Sequence, residues 1–283
     1  MPELPEVETI RRQLEPVVVG RTIQTVEITD ARWCEPVDSE TFANSISNRE
    51  VLAFQRRGKY MVVRFEDSAL VMHLRMTGNL LYAGCDQQLP SKHRRGLLQL
   101  SDGGRLAFVD PRRFGTALMI DGEAALDEYF DRRLGPEPFD PGFTPDLLHM
   151  RSRNRRTPVK AFLLDQATVA GIGNIYADEA LFRAGIDPRK KAAQLTKANC
   201  EQLHIAIRDA LSAGIDAKGA SIDDFRDAYG VQGSFQDQFL VHRREGLPCP
   251  QCDSTVIKIR LAGRGTYLCQ KCQSLRHGRG EEN

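Results

Sequence analysis

The sequence predicts an α+β protein in which a helix and a β-rich domain are followed by a helical domain and a cysteine-rich hairpin. Three observations support this order: helical periodicity in the first 15 residues, about a hundred residues of short strand-like runs, and a return to helical periodicity near residue 158. With 283 residues, the chain is long enough for two domains with sizeable cores.

The first segment, MPELPEVETI and the residues after it, predicts a helix over residues 4–15. Pro5 suits the first turn, and acidic side chains such as Glu6 suit the positive N-terminal end of a helix. The expected buried face consists of Val7, Ile10 and Leu14. This interpretation leaves Pro2 and Glu3, directly behind the first methionine, without a structural reason.

Residues 21–120 predict a β-sandwich or barrel. Short apolar or alternating runs recur between turn residues such as Asp102-Gly103, and six of them have strand character: residues 22–28, 51–55, 60–65, 69–74, 97–100 and 105–109. Six or more short strands in about a hundred residues are typical of an all-β layer structure.

The C-terminal half predicts helices over residues 158–170, 174–184 and 196–213, with Thr196 as the N-cap of the last and Gly214 as its stop. Pro and Gly are dense before the first of them. We therefore expect the following domains: residues 1–130, a linker at 131–150, 151–240, a hairpin at 241–273, and a disordered tail at 274–283.

The net charge of +1 hides an uneven distribution of basic residues. Residues 151–160 hold five Arg or Lys and no acid, and residues 241–280 carry a net charge of +6, so the remainder of the chain carries −10. One positively charged face suited to a polyanion would explain this pattern, although two solvated charge runs would produce it as well. No membrane span or secretory signal is apparent, so we expect a cytoplasmic protein.

Four of the seven cysteines form two C-x2-C pairs separated by sixteen residues: Cys249, Cys252, Cys269 and Cys272. This spacing is typical of a zinc ribbon with four thiolate ligands and no open coordination position. Disulfides are the competing interpretation, which a reducing compartment disfavours.

These features occur together in one known family. The motifs are MPELPEVET at residues 1–9, RRGKY at 56–60, HLRMTG at 73–78, DPRRFG at 110–115, GIGNIY at 171–176 and the terminal four-cysteine hairpin. In this order they resemble formamidopyrimidine-DNA glycosylase, a bacterial base-excision repair enzyme, over residues 1 to about 273. The resemblance implies a helix–two-turn–helix domain between the β-sandwich and the zinc ribbon.

The resemblance also implies the chemistry. Once Met1 is removed, the Pro2 nitrogen would be the nucleophile that forms a Schiff base with the damaged nucleotide, and Glu3 would be the general acid. Lys59 would assist β-elimination, and Arg264 would grip phosphates beside the lesion and assist δ-elimination. An ordinary helix-end charge for Glu3 and a surface position for Lys59 are the alternatives.

DNA contacts follow from the same resemblance. Met76, Arg112 and Phe114 would fill the gap left by a flipped base, and the residues holding the DNA backbone would be His93, Arg155, Lys160 and Asn174. Met76 could instead belong to the core, and Asn174 could be an N-cap. The partner implied is duplex DNA with oxidised bases or abasic sites, bound by a monomer.

Three segments depart from the family pattern: residues 92–95, which lack a second histidine, residues 219–225, where Gly-Thr-Thr is usual, and residues 241–246, where Tyr-Gly-Arg is common. Because residues 217–235 match the loop that covers the flipped base, the preferred lesion is less certain than the reaction. Oxidised purines are expected. An endonuclease VIII-like enzyme for oxidised pyrimidines and a non-catalytic zinc protein that binds DNA are the alternatives.

Overall fold

A computed structural model describes residues 1–222 and 224–274. Its contacts divide the chain into two compact units, of which the first comprises Met1–Arg133 and Gly214–Gln236 and the second comprises Leu134–Ala213 and Asp237–Asn283. Among the described residues, no helix is both long and apolar enough to cross a membrane. The tail expected at 274–283 lies, except for Ser274, outside the described residues.

The first unit opens with helix α1 (Leu4–Val18), whose buried face includes Val7, Ile10 and Leu14, as expected. The helix runs three residues beyond the predicted end at residue 15, through Pro16. The fixed φ of proline is compatible with a helix, so Pro16 near the helix end removes one hydrogen bond without ending the helix. The turn at Gly20, with φ 76°, follows the helix.

Two antiparallel sheets form the body of this unit. The five-stranded sheet has the order β2-β1-β7-β8-β6, and its strands are β1 (Thr22–Ile28), β2 (Arg49–Glu50), β6 (Asn79–Ala83), β7 (Arg94–Leu100) and β8 (Arg105–Val109). The four-stranded sheet has the order β3-β4-β5-β9, and its strands are β3 (Ala53–Arg57), β4 (Tyr60–Arg64), β5 (Ser68–His73) and β9 (Thr116–Asp121). Helices α2 (Ser39–Ile46) and α3 (Glu123–Asp131) complete the unit.

One apolar core lies between these layers. It combines residues of both sheets, such as Leu70 and Phe108, with the inner face of α1, and this confirms the predicted β-sandwich. Trp33 packs against the rings of Phe42 and Phe108, with centroid distances of 5.9 and 5.0 Å. A Cβ atom at Gly96 would lie 2.3 Å from the Trp33 ring, so only glycine fits beside it.

The second unit is helical and ends in a two-stranded ribbon, as predicted. Its elements are α4 (Pro145–Ser152), α5 (Val159–Leu164), α6 (Asn174–Arg183), α7 (Lys197–Asp216, which continues into the first unit), β10 (Ile257–Leu261) and β11 (Arg264–Leu268). The stretch expected as a linker contains the start of α4. Where the functional domains begin and end stays a prediction.

The end of α5 also differs from the sequence prediction, whereas the predicted start of α7 is confirmed. Helix α5 stops at Leu164 rather than at residue 170, because Asp165 is extended and its carboxylate accepts the Ala167 N–H at 3.1 Å, which forms a turn. The Thr196 N-cap is confirmed, since its hydroxyl accepts the Asn199 N–H at 3.1 Å.

The predicted stop of α7 at Gly214 is wrong. The helix continues to Asp216 and ends where Lys218 and Gly219 adopt φ values of 57° and 83°. The Gly219 N–H then donates to the Gly214 carbonyl at 2.7 Å, and the Lys218 N–H donates to the Ile215 carbonyl at 3.0 Å. This pair of bonds is a Schellman motif, and it is the left-handed pair that ends the helix rather than the first glycine.

Candidate active site and nucleic-acid interface

The N-terminal segment of the first unit buries two of the predicted catalytic residues. Pro2 is buried and Glu3 is 1% exposed, whereas Met1 is 40% exposed. The Glu6 carboxylate accepts the Glu3 N–H at 2.7 Å and, through its other oxygen, the Ala220 N–H at 2.8 Å. One buried acid on the first turn of α1 therefore connects the Pro2-Glu3 segment to the loop after α7.

The loop predicted to cover a flipped base, residues 217–235, is bonded to the rest of the first unit at several further points. The side-chain Oδ1 of Asn79 accepts the Arg226 N–H at 2.8 Å, and the side-chain Oε1 of Gln13 accepts the Ala228 N–H at 2.9 Å. The loop predicted to cover a flipped base is thus anchored to α1 and β6 on the side that follows residue 223, which itself lies outside the described residues.

Lys59 lies in the turn between β3 and β4, directly after Gly58, whose φ is 58°. It is 6% exposed, so a surface position is wrong for this lysine. Arg56, near the end of β3, donates to the Gly58 carbonyl at 3.0 Å and to Glu8 of α1 at 3.1 Å. Burial favours a higher pKa for Glu8, but the hydrogen bonds from Arg11 and Arg12 and the charge of Arg56 outweigh it and lower that pKa.

His73 pairs with Tyr60 across β4 and β5, with ring centroids 4.5 Å apart. Burial, followed by the charges of Arg75 and Lys59, lowers the pKa of His73 to about 3. The imidazole is therefore neutral at pH 7, and its Nδ1 accepts the Arg75 N–H at 2.8 Å. This bond supports Arg75 in a left-handed conformation with φ 55°, at the start of the turn that carries Met76.

Met76 is half-buried in the turn between β5 and β6. Thr77 and Gly78, which follow it, are buried, and a Cβ atom at Gly78 would lie 2.5 Å from the Leu74 carbonyl oxygen. The turn is therefore tightly closed at its base, while Met76 keeps part of its side chain accessible. A position wholly inside the core does not describe this side chain.

The DPRRFG loop is organised by the carboxylate of Asp110, which is 0% exposed. Asp110 accepts the N–H groups of Arg112, Phe114 and Gly115 at 3.2, 2.8 and 2.7 Å, and it also accepts the Thr77 hydroxyl. These bonds fix the backbone of the loop, whose large side chains Arg112, Arg113 and Phe114 are all exposed.

Two of these exposed side chains are predicted DNA contacts: Arg112 and Phe114, of which Phe114 is 51% exposed. The Arg112 guanidinium lies 4.8 Å from the centre of the Phe114 ring. His93, also exposed, has its carbonyl bonded to the Asp110 N–H at 2.9 Å. The structure therefore brings His93 and the DPRRFG loop together in one part of the first unit.

In the second unit, Arg155 is exposed between α4 and α5, whereas Lys160 is 1% exposed. Asn174 is the first residue of α6 and its N-cap is Gly173, so the N-cap interpretation of Asn174 is wrong. Its amide nitrogen instead donates to the Gly265 carbonyl at 3.1 Å. The Lys160 ammonium donates to that same carbonyl at 2.9 Å.

Arg264 is exposed and stands at the start of β11, paired with Leu261 at the end of β10. The two residues of the hairpin turn are Ala262 and Gly263, with φ values of 47° and 76°. Two successive positive φ values are typical of a two-residue type I′ turn. Arg264 therefore lies in the Leu261–Arg264 pair next to the turn rather than at the tip of the turn, and this strand pairing fixes its backbone.

The four cysteine sulfurs lie within 4.8 Å of one another. The Sγ atoms of Cys249 and Cys272 are 3.8 Å apart, and those of Cys252 and Cys269 are 3.5 Å apart. Tetrahedral zinc with Zn–S bonds of about 2.3 Å requires S···S separations of about 3.8 Å. The cluster therefore fits one zinc ion with four thiolate ligands, and such a closed site is structural.

Sequence reasoning did not single out several residues that build this arrangement. His73 and Asp110 stood inside the quoted motifs HLRMTG and DPRRFG, where their support of the backbone could have been suspected. Asp178 and His242 gave no local signal, because their partners are distant in the sequence. Glu8 suited the N-terminal end of a helix, but nothing local indicated its bond to Arg56, 48 residues away.

Comparisons with known proteins cover most of the chain. Three family models match: the formamidopyrimidine-DNA glycosylase N-terminal domain over residues 1–117, the H2TH domain of the same enzyme over residues 134–226, and the zinc finger found in FPG and IleRS over residues 246–275. Together with the cysteine geometry, the third match establishes one structural zinc ion.

Among relatives, the formamidopyrimidine-DNA glycosylase of Desulfitobacterium hafniense is 44% identical over 96% of this chain and 100% of its own length. That of Symbiobacterium thermophilum is 43% identical over 98% of this chain and 91% of its own length.

Among solved structures, a Lactococcus lactis FPG mutant in complex with Fapy-dG containing DNA has a TM-score of 0.89 and 35% identity, covering 96% of this chain and all of the other. The L. lactis Fpg with abasic site containing DNA has a TM-score of 0.88 and 35% identity, covering 96% of this chain and 99% of the other. The chain therefore belongs to the formamidopyrimidine-DNA glycosylase family of base-excision repair enzymes.

Proposed function

We propose that this DNA glycosylase excises oxidised purines, 8-oxoguanine and formamidopyrimidines, from duplex DNA and then cleaves the strand as an AP lyase. The observation that carries this proposal is the burial of Pro2 and Glu3 at the start of α1 in a chain of this family. Solved relatives bound to Fapy-dG and abasic-site DNA support the substrate class.

The nucleophile is the Pro2 nitrogen after removal of Met1. While Met1 is present this nitrogen is a tertiary amide without a free lone pair. Once released it is an α-amine with a reference pKa near 8, of which about a tenth is neutral at pH 7. Its lone pair attacks C1′ of the damaged nucleotide, and the glycosidic bond breaks with its electron pair and a proton leaving on the base.

Strand cleavage follows from the same adduct. Glu3 donates a proton to the sugar ring oxygen as the ring opens, which leaves an iminium ion between Pro2 and C1′. The iminium acidifies C2′, and loss of that proton expels the 3′ phosphate. A second elimination, with loss of the C4′ proton, expels the 5′ phosphate. Lys59 assists the first elimination and Arg264 the second.

DNA contacts are divided among the remaining predicted residues. Met76 and Phe114 are the apolar wedges, and Arg112 pairs with the orphaned base. The partial exposure of Met76 and the outward placement of Arg112 and Phe114 support these roles. The residues proposed to hold the DNA backbone are His93, Arg155 and Asn174, and Lys160, which is 1% exposed, supports these contacts from inside the protein.

Borohydride trapping tests the chemistry. The Met1-processed protein is mixed with duplex DNA carrying 8-oxoguanine opposite cytosine, and reduction of the iminium yields a covalent adduct visible on a denaturing gel. We expect an adduct with the wild type, and none with Pro2→Gly or with a protein that keeps an N-terminal extension. Nicking by a fully blocked N-terminus would contradict the proposal.

Preference for oxidised pyrimidines is the second candidate, since a solved L. lactis relative binds an oxidised pyrimidine containing DNA. A panel of duplexes with 8-oxoguanine, Fapy-guanine and thymine glycol separates the two. We expect kcat/KM to be highest for the purine lesions. A higher value for thymine glycol would favour the pyrimidine enzyme.

A non-catalytic protein that binds DNA would show no change in any property on Pro2→Gly. We further propose that the enzyme acts as a monomer in the bacterial cytoplasm. Light scattering of the DNA complex tests the monomer, and a mass of one protein per duplex is expected.

A further inference from the structure

Buried charges of the second unit meet beneath the ribbon residue Arg264. Asp178 of α6 is 1% exposed, and its two oxygens have different partners: Oδ1 lies 2.7 Å from the Lys160 Nζ, and Oδ2 lies 2.9 Å from the His242 Nδ1. Lys160 is 1% and His242 5% exposed. Such a triad is expensive to desolvate, so it needs a reason beyond stability.

The Lys160 ammonium also reaches the ribbon. It donates to the Gly265 carbonyl and to the Thr266 hydroxyl, both at 2.9 Å. The Asp178 Oδ1 atom adds an ion pair at 2.7 Å, so a carbonyl, a hydroxyl and a carboxylate surround the buried ammonium group. The Thr266 hydroxyl in turn donates to the Arg264 carbonyl at 3.3 Å. The buried charge therefore connects to the backbone of Arg264 and of the residue after it.

The neighbouring acid on α6 fixes the other end of the triad. Glu179, 0% exposed, accepts the N–H groups of Leu240, Val241 and His242 at 3.0, 3.0 and 2.9 Å. The His242 ring packs against Phe239 and Tyr267, with centroid distances of 5.3 and 4.9 Å. Backbone, side chain and ring contacts thus hold His242 in one orientation toward Asp178.

From this geometry we infer that Asp178 is a positioning residue for Arg264. Acting through Lys160, it holds the Gly265 carbonyl and the Thr266 hydroxyl, and His242 satisfies its second oxygen. The triad orients the Arg264 backbone, so the guanidinium meets a DNA phosphate without first ordering the ribbon. His242 lies in segment 241–246, which departs from the family pattern. Its contact with Asp178 gives a structural reason for a histidine at this position.

This inference rests on the proposed role of Arg264, and its test is a double-mutant cycle on DNA affinity. The first variant, Lys160→Met/Asp178→Leu/His242→Phe, replaces the whole triad with apolar side chains of similar size and leaves no unpaired charge. The second is Arg264→Ala, and the third combines all four substitutions. Affinity is measured on a duplex with a tetrahydrofuran abasic analogue, which the enzyme binds without chemistry.

We expect the triad variant and Arg264→Ala each to weaken binding by about tenfold, and the combined variant to bind within about twofold of Arg264→Ala. A triad that only stabilises the fold would lower affinity equally in both backgrounds. Wild-type affinity in the triad variant, or a hundredfold loss in the combined variant, overturns the inference.

Zinc content and thermal unfolding verify that the triad variant is folded. If it is not, Thr266→Val removes only the hydroxyl that joins Lys160 to Arg264, and we expect a loss of about threefold that disappears in the Arg264→Ala background. The same loss in both backgrounds overturns the inference. The matched control is Glu245→Gln/Lys258→Met, which removes an exposed ribbon pair 4.0 Å apart and should change affinity less than twofold.

The outcome is separable from that of the proposed function. Borohydride trapping reports on Pro2, whereas the cycle reports on binding alone. Trapping by the wild type without coupling between the triad and Arg264 overturns only the inference. Coupling in a protein that forms no adduct supports the inference and ends the lyase proposal.

Discussion

Two exposed arginines are presented in different ways in the two units. In the first unit, Arg112 depends on Asp110, which accepts backbone N–H groups two, four and five residues further along the chain. In the second unit, Arg264 depends on Lys160 and Asp178, which lie about a hundred residues earlier in the sequence. One carboxylate acts locally and directly, and the other acts through a buried lysine from a distant helix.

This difference shows how the two kinds of support fail. Asp110 shapes a loop whose residues are its neighbours in the sequence, so removal of its carboxylate disturbs only a few residues. A distant support requires that the ribbon be folded and packed on α6, where Phe182, Val241 and Val256 share a cluster with Cys249 and Cys269. The second arrangement therefore depends on the zinc ion and the first does not.

The largest expected effect breaks the second arrangement. Cys269→Ser removes one thiolate ligand, and thiolate–zinc bonds supply most of the folding free energy of such a hairpin, about 10–16 kcal/mol in small zinc domains. We expect loss of zinc and a more than hundredfold loss of DNA affinity, measured by elemental analysis and fluorescence anisotropy. The fluorescence of Trp33, the single tryptophan and a core residue of the first unit, should not change. Full affinity without metal would contradict this dependence.

Asp110→Asn breaks the first arrangement. Asparagine keeps one acceptor oxygen, but its NH2 group faces backbone N–H groups that donate to Asp110 in the wild type. Those buried N–H groups therefore lose their acceptor. We expect a loss of about 2–4 kcal/mol in the free energy of unfolding, measured by urea denaturation followed through Trp33. Asp127→Asn, at an exposed position of α3, is the control and should change stability by less than about 0.5 kcal/mol. Equal stability of both variants would show that Asp110 does not organise the loop.

Phe114→Ala removes an exposed side chain of the DPRRFG loop and leaves the backbone bonds to Asp110 in place. Phe114 is 51% exposed, so we expect a change of less than about 0.5 kcal/mol in stability. A lost wedge should raise the barrier to base flipping by about 2 kcal/mol, or about thirtyfold in kcat/KM on 8-oxoguanine duplexes. Cleavage at a preformed abasic site should fall much less. Leu52→Ala, 50% exposed, is the control. An equal loss on both substrates would argue against a wedge.

The smallest effect concerns His73, a second local support. Because its native pKa is about 3 and its ordinary value is 6.5, the unfolded chain binds more protons than the native state between these values. Stability is fully present above about pH 6.5 and falls with the pH below it, by at most about 1.4 kcal/mol per pH unit. His73→Asn should flatten this slope between pH 6.5 and 5.5 in urea unfolding, a difference of at most about 1.4 kcal/mol over that pH unit. Identical slopes would show that His73 does not contribute.

Sequence patterns were sufficient wherever the controlling interactions are short in range or follow a fixed period. The buried face of α1, the strand-like runs, the Thr196 cap and the paired C-x2-C turns all depend on neighbours within a few residues. The helix ends at Leu164 and Asp216 were misplaced, because a side-chain turn at Asp165 and the left-handed pair Lys218-Gly219 compete with propensity there. Propensity is a weak guide where capping geometry decides.

The sequence alone determined the order of the layers, the zinc ligands, and the family whose motifs place Pro2, Glu3, Lys59 and Arg264. Tertiary structure alone decided which buried acids serve those residues: Glu6 meeting Ala220, Glu8 meeting Arg56, and Asp178 meeting Lys160 and His242. The physical reason is that a buried carboxylate must be satisfied by donors close in space. Only packing determines which distant donors are close.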